Sequence, residues 1–145
     1  MTDSIVIYTD GGCDPNPGPG GWAALILQDG QKTELMGADP DTTNNRMELT
    51  AAIRALRSLK APSTVTLYTD SQYLQKGIDE WMSGWLARNW KASTGKPVLN
   101  QDLWKELLEA KKPHKVTWQW VKGHAGNVYN TRVDALVHQA RQTLK

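Results

Sequence analysis

Ser4–Thr9 is a short apolar run rich in β-branched residues, which predicts a strand with Val6, Tyr8 and the following Asp10 on one face. Trp22–Leu27 and Lys32–Ala38 read as two further strands, joined by the hairpin-type turn "QDGQ" (Gln28–Gln31). Between the first two strands, "GGCDPNPGPGG" (Gly11–Gly21) is dense in turn residues and predicts a break. The period then changes. After the N-cap-rich "DTTNN" (Asp41–Asn45), Leu49, Ala52, Ile53, Leu56 and Leu59 fall at helical spacing, predicting a helix over Arg46–Leu59 that Pro62 ends. Thr64–Tyr68 is a fourth strand. Ser71–Arg88 reads as short helical segments with Gly77 and Gly84 as weak points, followed by a Trp- and Lys-bearing loop to Pro97. Asp102–Lys111 is helical, Lys115–Val121 a fifth strand and Thr131–Leu144 a final helix.

This order predicts an α/β domain. Alternating β and α units in the second half imply right-handed parallel crossovers. The expected sheet is five-stranded and mixed, three antiparallel then two parallel strands, with helices on both faces. No repeat or linker divides the chain, and 145 residues suit a single domain spanning 1–145. Composition adds limits. With 39% apolar and 22% charged residues the chain is an ordinary globule. No apolar run approaches the roughly 18 residues of a membrane helix, and no basic-then-apolar leader opens the chain, so no membrane association is expected. The one cysteine, Cys13, suits a reducing cytoplasm. The net charge of +2 excludes a global polycationic surface, so a polyanion partner needs a local site. Phe is absent while Trp occurs seven times, which gives the aromatic role to a large stacking face.

The tripeptide Tyr-Thr-Asp occurs twice, as "IYTDGG" (Ile7–Gly12) and "LYTDSQ" (Leu67–Gln72), each closing a strand. If those strands are parallel neighbours, Asp10 and Asp70 lie side by side at carboxyl ends, where open α/β sheets place their sites. Either Asp alone reads as a cap on the following turn. Together they repel, and a divalent cation is the economical compensation. Glu48 lies on the inward line Glu48, Ala52, Ala55, Leu59, and Asp134 lies beside the apolar stripe Val133, Leu136, Val137, Ala140 of the last helix. Three Asp and one Glu suit a hard, oxygen-preferring ion, and zinc-type His and Cys clusters are absent.

The stretches "YTDGGCDPNPGPGGW", "TTNNRMEL", "LYTDSQY" and "WVKGHAG", followed by Asp134, resemble bacterial type-I ribonuclease H over nearly the whole chain. The resemblance implies the ribonuclease H-like fold and hydrolysis of the RNA strand of an RNA–DNA hybrid duplex, leaving 5′-phosphate and 3′-hydroxyl ends, by a monomeric cytoplasmic enzyme. It implies that Asp10, Glu48, Asp70 and Asp134 hold two Mg2+ ions, with Mn2+ as an alternative, and that His124 assists proton movement or product release. His114 and His138 read as ordinary histidines. The resemblance also implies substrate contacts. Asn16, Asn44, Asn45 and Gln72 are groove residues whose amides bond bases and sugars without demanding one sequence, and Cys13 lies in the same groove. Thr43 and Asn100 grip a DNA phosphate near a helix N-terminus. Trp81, Trp85, Lys91 and Lys96 belong to a protrusion that holds the DNA strand by stacking and charge.

Two departures from the family pattern stand out. The protrusion "GWLARNWKASTGK", with Lys76 before it, carries four cations, Lys76, Arg88, Lys91 and Lys96, two of them offset by Asp79 and Glu80. This is a leaner cluster than bacterial relatives carry, and at least one of its tryptophans reads as core. The "GNVYN" loop after His124 also differs from its commonest form, and no added hybrid-binding domain is expected. Rival classes fit less well. A proofreading exonuclease needs Asp-x-Glu where this chain has Asp10-Gly11-Gly12. A binding module without catalysis would not retain all four acids and His124, and nothing resembles the aspartyl nucleophile loop of a Mg2+-dependent phosphatase.

Overall fold

The computed structural model describes residues 4–92, 94–121 and 128–144. Strands β1 (Ser4–Cys13), β2 (Gly18–Gln28), β3 (Gln31–Thr42), β4 (Thr64–Thr69) and β5 (Lys115–Trp120) form one sheet in the order β3-β2-β1-β4-β5. The β1–β2 and β2–β3 pairs are antiparallel, and β1–β4 and β4–β5 are parallel, as the element order implies. Helices α1 (Asn44–Arg57), α2 (Gln72–Lys76), α3 (Met82–Ala87), α4 (Gln101–Lys111) and α5 (Val128–Gln142) complete the chain.

Alternation along β1 explains why both sheet faces are covered. Ile5 and Ile7 point to one side, where Leu49, Ile53 and Leu56 of α1 and Trp104 and Leu107 of α4 form the larger core. Tyr8 points to the other, where with Ala23 and Leu25 of β2 it meets Val133, Leu136 and Val137 of α5. An exposed two-pronged pair from Arg132 to Glu34, at 2.6 and 2.9 Å, also ties α5 to β3.

The sheet corrects one expectation. Gly11–Gly21 is no break: Gly11, Gly12 and Cys13 pair with Trp22, Gly21 and Gly20, and only Asp14–Pro17 lie outside the strands. Glycine weakens a strand in isolation. Here bareness is needed, because a Cβ on Gly21 would stand 2.8 Å from the Val137 carbonyl oxygen of α5. The turn between β2 and β3 is as expected, with Asp29 and Gly30 at φ 52° and 77°, the positive pair of a type I′ hairpin. Helix α1 starts earlier than its apolar period suggests, because Thr43 is the N-cap and accepts the Arg46 N–H at 3.2 Å.

Gly77 is a weak point of a specific kind. Residues Gly77–Trp81 form a π-helical turn, with the Met82 N–H reaching back to the Gly77 carbonyl, while Gly84 lies inside α3 without interrupting it. Gly77 faces the fully buried Trp104, and a Cβ there would overlap the indole ring. Gly77→Ala should therefore destabilise the protein by about 1–3 kcal/mol through overpacking, despite the gain of about 1 kcal/mol that Ala brings to an ordinary helix. Urea unfolding checks this. A midpoint equal to or above that of the parent would mean that Trp104 can yield.

Candidate active site

The two Tyr-Thr-Asp units stand in register. The parallel ladder pairs Ile7 with Leu67 and Tyr8 with Tyr68. The two tyrosine rings stack at 4.6 Å with an interplanar angle of 10°. One step further, Thr9 and Thr69 are both buried, and Thr69 Oγ1 accepts the Ser71 N–H at 3.2 Å, turning the chain out of the sheet. The next residues, Asp10 and Asp70, lie just past the last rung of the β1–β4 ladder, although β1 itself stays paired with β2 as far as Cys13 and so does not close at Asp10.

Glu48 reaches the same place from above the opposite sheet face. It sits one turn into α1, and the approach depends on Gly11: a Cβ there would lie 2.5 Å from the Met47 carbonyl carbon and 2.7 Å from the Glu48 nitrogen. With the helix seated so closely, Asp10, Glu48 and Asp70 each offer a carboxylate oxygen within 4.8 Å of the others. Gly11 N–H donates to Asp10 Oδ1 at 2.9 Å. Glu48 is 9% exposed and its Oε2 is buried without a hydrogen-bond partner among the described residues. Burial first, and then the charges of Asp10 and Asp70, push its carboxyl well above the usual range, against a backbone hydrogen bond from Gly11. An orphaned buried oxygen facing two more carboxylates is the donor set a hard divalent cation takes.

A cavity of about 400 Å³ opens over this group. Of the residues expected from the sequence, Asp10, Cys13, Asn44, Asn45, Glu48, Asp70, Gln72 and Asp134 line it. Asn16 stands at its rim, where its Oδ1 accepts the Asn44 N–H at 3.1 Å and the Cys13 thiol at 3.3 Å. The Cys13 N–H in turn donates to Asn44 Oδ1 at 2.7 Å, so these three groups bind β1 to the start of α1.

Thr43 and Asn100 meet through Arg46, which the sequence reading did not select. Arg46 N–H donates to Thr43 Oγ1 at 3.2 Å, and its Nη1 to Asn100 Oδ1 at 3.2 Å. The guanidinium also grips Asp102 at 2.9 and 3.1 Å, holding that carboxyl below its usual range. Asn100, at φ 59°, donates to the Tyr73 hydroxyl, as does Trp104 Nε1.

The protrusion is divided in its roles. Trp85 is 8% exposed and packs 5.2 Å from Trp104 in the larger core. Trp81 is 36% exposed, and both rings line a separate hollow of about 470 Å³ with Arg88 and Leu99. Lys91 and Lys96 are exposed on a tight loop closed by a Lys91–Pro97 bridge and the Ala92 N–H to Lys96 carbonyl bond of 2.8 Å. His124 lies outside the described residues. His114 is structural, with Nδ1 accepting the Ser63 N–H at 3.1 Å. His138 and Arg141, not selected from the sequence, also line the carboxylate cavity. Their spacing of four and seven from Asp134 on one helix was the available signal.

A family model for RNase H matches residues 2–142. The chain belongs to the ribonuclease H family. Ribonuclease H of Gluconobacter oxydans is 58% identical over 140 residues, covering 97% of this chain and 93% of that one. Ribonuclease HI of Caulobacter vibrioides is 55% identical over 139 residues, covering 96% and 93%. The crystal structure of LC9-RNase H1, described as a type 1 RNase H with the type 2 active-site motif, shares 31% identity at a TM-score of 0.87 and covers 100% of this chain and 75% of that one. LC11-RNase H1, solved in complex with RNA/DNA hybrid, shares the fold at a TM-score of 0.72 and 24% identity, covering 97% and 98%. Ribonuclease H is a nuclease, and the triad Asp10, Glu48 and Asp70 of this chain could hold a metal ion.

The raised Glu48 carboxyl gives a pH prediction. Because its folded pKa lies above its unfolded one, its ionisation disfavours the fold. That penalty is absent below about pH 4, where the group is protonated in both states, and is full above the folded pKa. Glu48→Gln should therefore raise the melting temperature of the metal-free protein at pH 7, on a scale of about 3 °C per kcal/mol for a chain of this size. The gain should vanish near pH 4. Equal melting curves for the two proteins at pH 7, in chelator, would contradict the strain assigned to Glu48.

Proposed function

We propose that this chain hydrolyses the RNA strand of RNA–DNA hybrid duplexes endonucleolytically, leaving 5′-phosphate and 3′-hydroxyl ends. The supporting observation is the carboxylate group at the sheet edge, with its orphaned Glu48 oxygen, in a chain of the ribonuclease H family. Asp10, Glu48, Asp70 and Asp134 would hold two divalent ions, Mg2+ by preference and Mn2+ as an alternative. Bound there, such ions supply an activated water and charge neutralisation at the phosphate.

The residues of the chain do the rest. Asn44, Asn45 and Gln72 line the cavity with amides that can bond base edges and 2′-hydroxyls without selecting a sequence. Cys13 and Asn16 support the same wall. Thr43, Asn100 and Arg46, clustered at the start of α1, take a phosphate of the DNA strand, drawn by the helix N-terminus. Lys91 and Lys96 act on that strand through charge, and Trp81 offers the exposed stacking face. His124 moves a proton at the cleaved bond. One copy of the chain carries all four acids, so a monomer suffices, and residues 1–145 act as a single catalytic domain. The lone cysteine is compatible with the cytoplasm.

The direct test is cleavage of labelled RNA–DNA, RNA–RNA and DNA–DNA duplexes with and without Mg2+. Only the hybrid should be cut, only in its RNA strand, and only with metal. Cleavage of the DNA duplex, or of the hybrid in chelator, would overturn the proposal. Asp10→Asn should abolish turnover while leaving the protein folded, and Mg2+ should raise the melting temperature of the parent but not of this variant. His124→Ala should slow turnover by roughly 10²–10⁴-fold, the scale of one acid–base group. A loss as deep as that of Asp10→Asn would make His124 essential.

A further inference from the structure

Helix α5 carries more chemistry than Asp134. Asp134, His138 and Arg141 follow at spacings of four and three, which places them on one face, and all three line the carboxylate cavity. His138 stands between the others, its Nε2 3.7 Å from Asp134 Oδ2 and its Nδ1 3.4 Å from Arg141 Nη1. Arg141 lies about 10 Å further along the helix axis than Asp134, at about 1.5 Å per residue. His138 and Arg141 also line an adjoining hollow of about 190 Å³ with Asp14 and Pro19, so the groove continues past the carboxylates.

Arg141 is poorly satisfied in this position. Its side chain is 23% exposed, and its Nε is buried without a hydrogen-bond partner among the described residues. Its Nη2 meets Asp14 only at 3.7 Å, and that carboxylate is 81% exposed. Arg46 and Arg132, by contrast, each hold a carboxylate with two hydrogen bonds. A guanidinium keeps its charge and its five donors whatever surrounds it. A half-buried one with donors unspent gains most from an anion that enters from outside. Packing alone does not demand this charge: a Cβ on Gly21 would lie 3.1 Å from Arg141 Cγ, a contact any apolar stem could make. Burial raises the Cys13 thiol above its usual range, and the Arg141 charge, reaching across the groove, offsets only part of that rise.

We infer that Arg141 binds a phosphodiester of the cleaved strand next to the scissile one, with His138 spacing that phosphate from Asp134. The inference rests on the proposed hybrid cleavage at the carboxylates. Its chemistry is the planar fork of arginine on phosphate oxygens. The strand follows from the topology. Helix α5 covers the sheet face opposite α1, so Arg141 lies across the carboxylates from the Thr43–Arg46–Asn100 group proposed for DNA.

The test is Arg141→Gln in the full chain, assayed on labelled hybrid over a KCl series. KM should rise about tenfold, the scale of one charged hydrogen bond, with kcat at saturation retained. In the non-cleaving Asp10→Asn background, the salt slope of log Kd should fall by about 0.9 or less. Arg141→Lys should restore the slope but not the full affinity. Hybrids with a neutral methylphosphonate at successive RNA positions locate the contact: the affinity lost by the parent at one position beside the cleaved bond should be absent in Arg141→Gln. A changed melting temperature with unchanged KM and salt slope would make Arg141 a brace for the Asp14–Pro17 connection and overturn the inference. Efficient cleavage with no coupled position would overturn it alone, whereas a parent that fails to cut the hybrid would overturn the proposed function with it.

Discussion

Mutual repulsion among three carboxylates is the constraint around which this fold is arranged. Asp10, Glu48 and Asp70 present oxygens within 4.8 Å of one another, and one oxygen of Glu48 is buried without a partner among the described residues. At such distances like charges oppose folding. The group persists because each acid comes from a different rigid element whose position is set by something else. Asp10 and Asp70 lie just past the last rung of a parallel ladder locked in register by the Tyr8–Tyr68 stack. Glu48 is carried by a helix seated against Gly11 and held by the buried Leu49, Ile53 and Leu56. The core thus supplies the force that keeps the site in a state it would relax from if its parts were mobile.

Helix α1 joins two kinds of electrostatics within little more than one turn. Its cap, Thr43, belongs with Arg46 and Asn100 to a group suited to an anion, and Glu48 belongs to a group suited to a cation. A phosphate at the first and a metal at the second would therefore be fixed relative to each other by the rise of one helix, about 1.5 Å per residue, and not by a loop. Tyr73 extends the arrangement into the core, because its hydroxyl accepts from both Asn100 and the buried Trp104. The Thr43–Arg46–Asn100 group is thereby anchored to the least exposed aromatic of the protein.

What could be read from the chain followed periodicity and repetition. Alternation and helical spacing located every strand and long helix, and the repeated Tyr-Thr-Asp announced the parallel pair because identical residues occupy identical register positions. Glu48 was legible as an acid on an inward stripe. Gly11–Gly21 was misread as a break because local propensity records what glycine lacks, whereas the helix behind Gly21 requires that lack. A core tryptophan in the protrusion and a weak point at Gly77 were legible, but that the core one is Trp85, that the weak point is a π turn and where Arg46 sits were not, since each depends on a partner distant in sequence: Trp104 for the first two and Asn100 with Asp102 for the third. Arg141 was passed over because an arginine near the end of an amphipathic helix has an ordinary explanation, and only its unsatisfied Nε sets it apart.

The position of α5 in chain order has a consequence for biosynthesis. Strands β1 to β3, helix α1 and strand β4 leave the ribosome first and bring Asp10, Glu48 and Asp70 with them, but Asp134 belongs to the last described helix. Until α5 is made, Tyr8, Ala23 and Leu25 have no cover on their side of the sheet, and the cavity lacks one wall. Docking of that helix seals the second core and brings Asp134 to the cavity wall in the same event. A nascent chain therefore cannot close the carboxylate cavity until the helix that covers its second core has been translated.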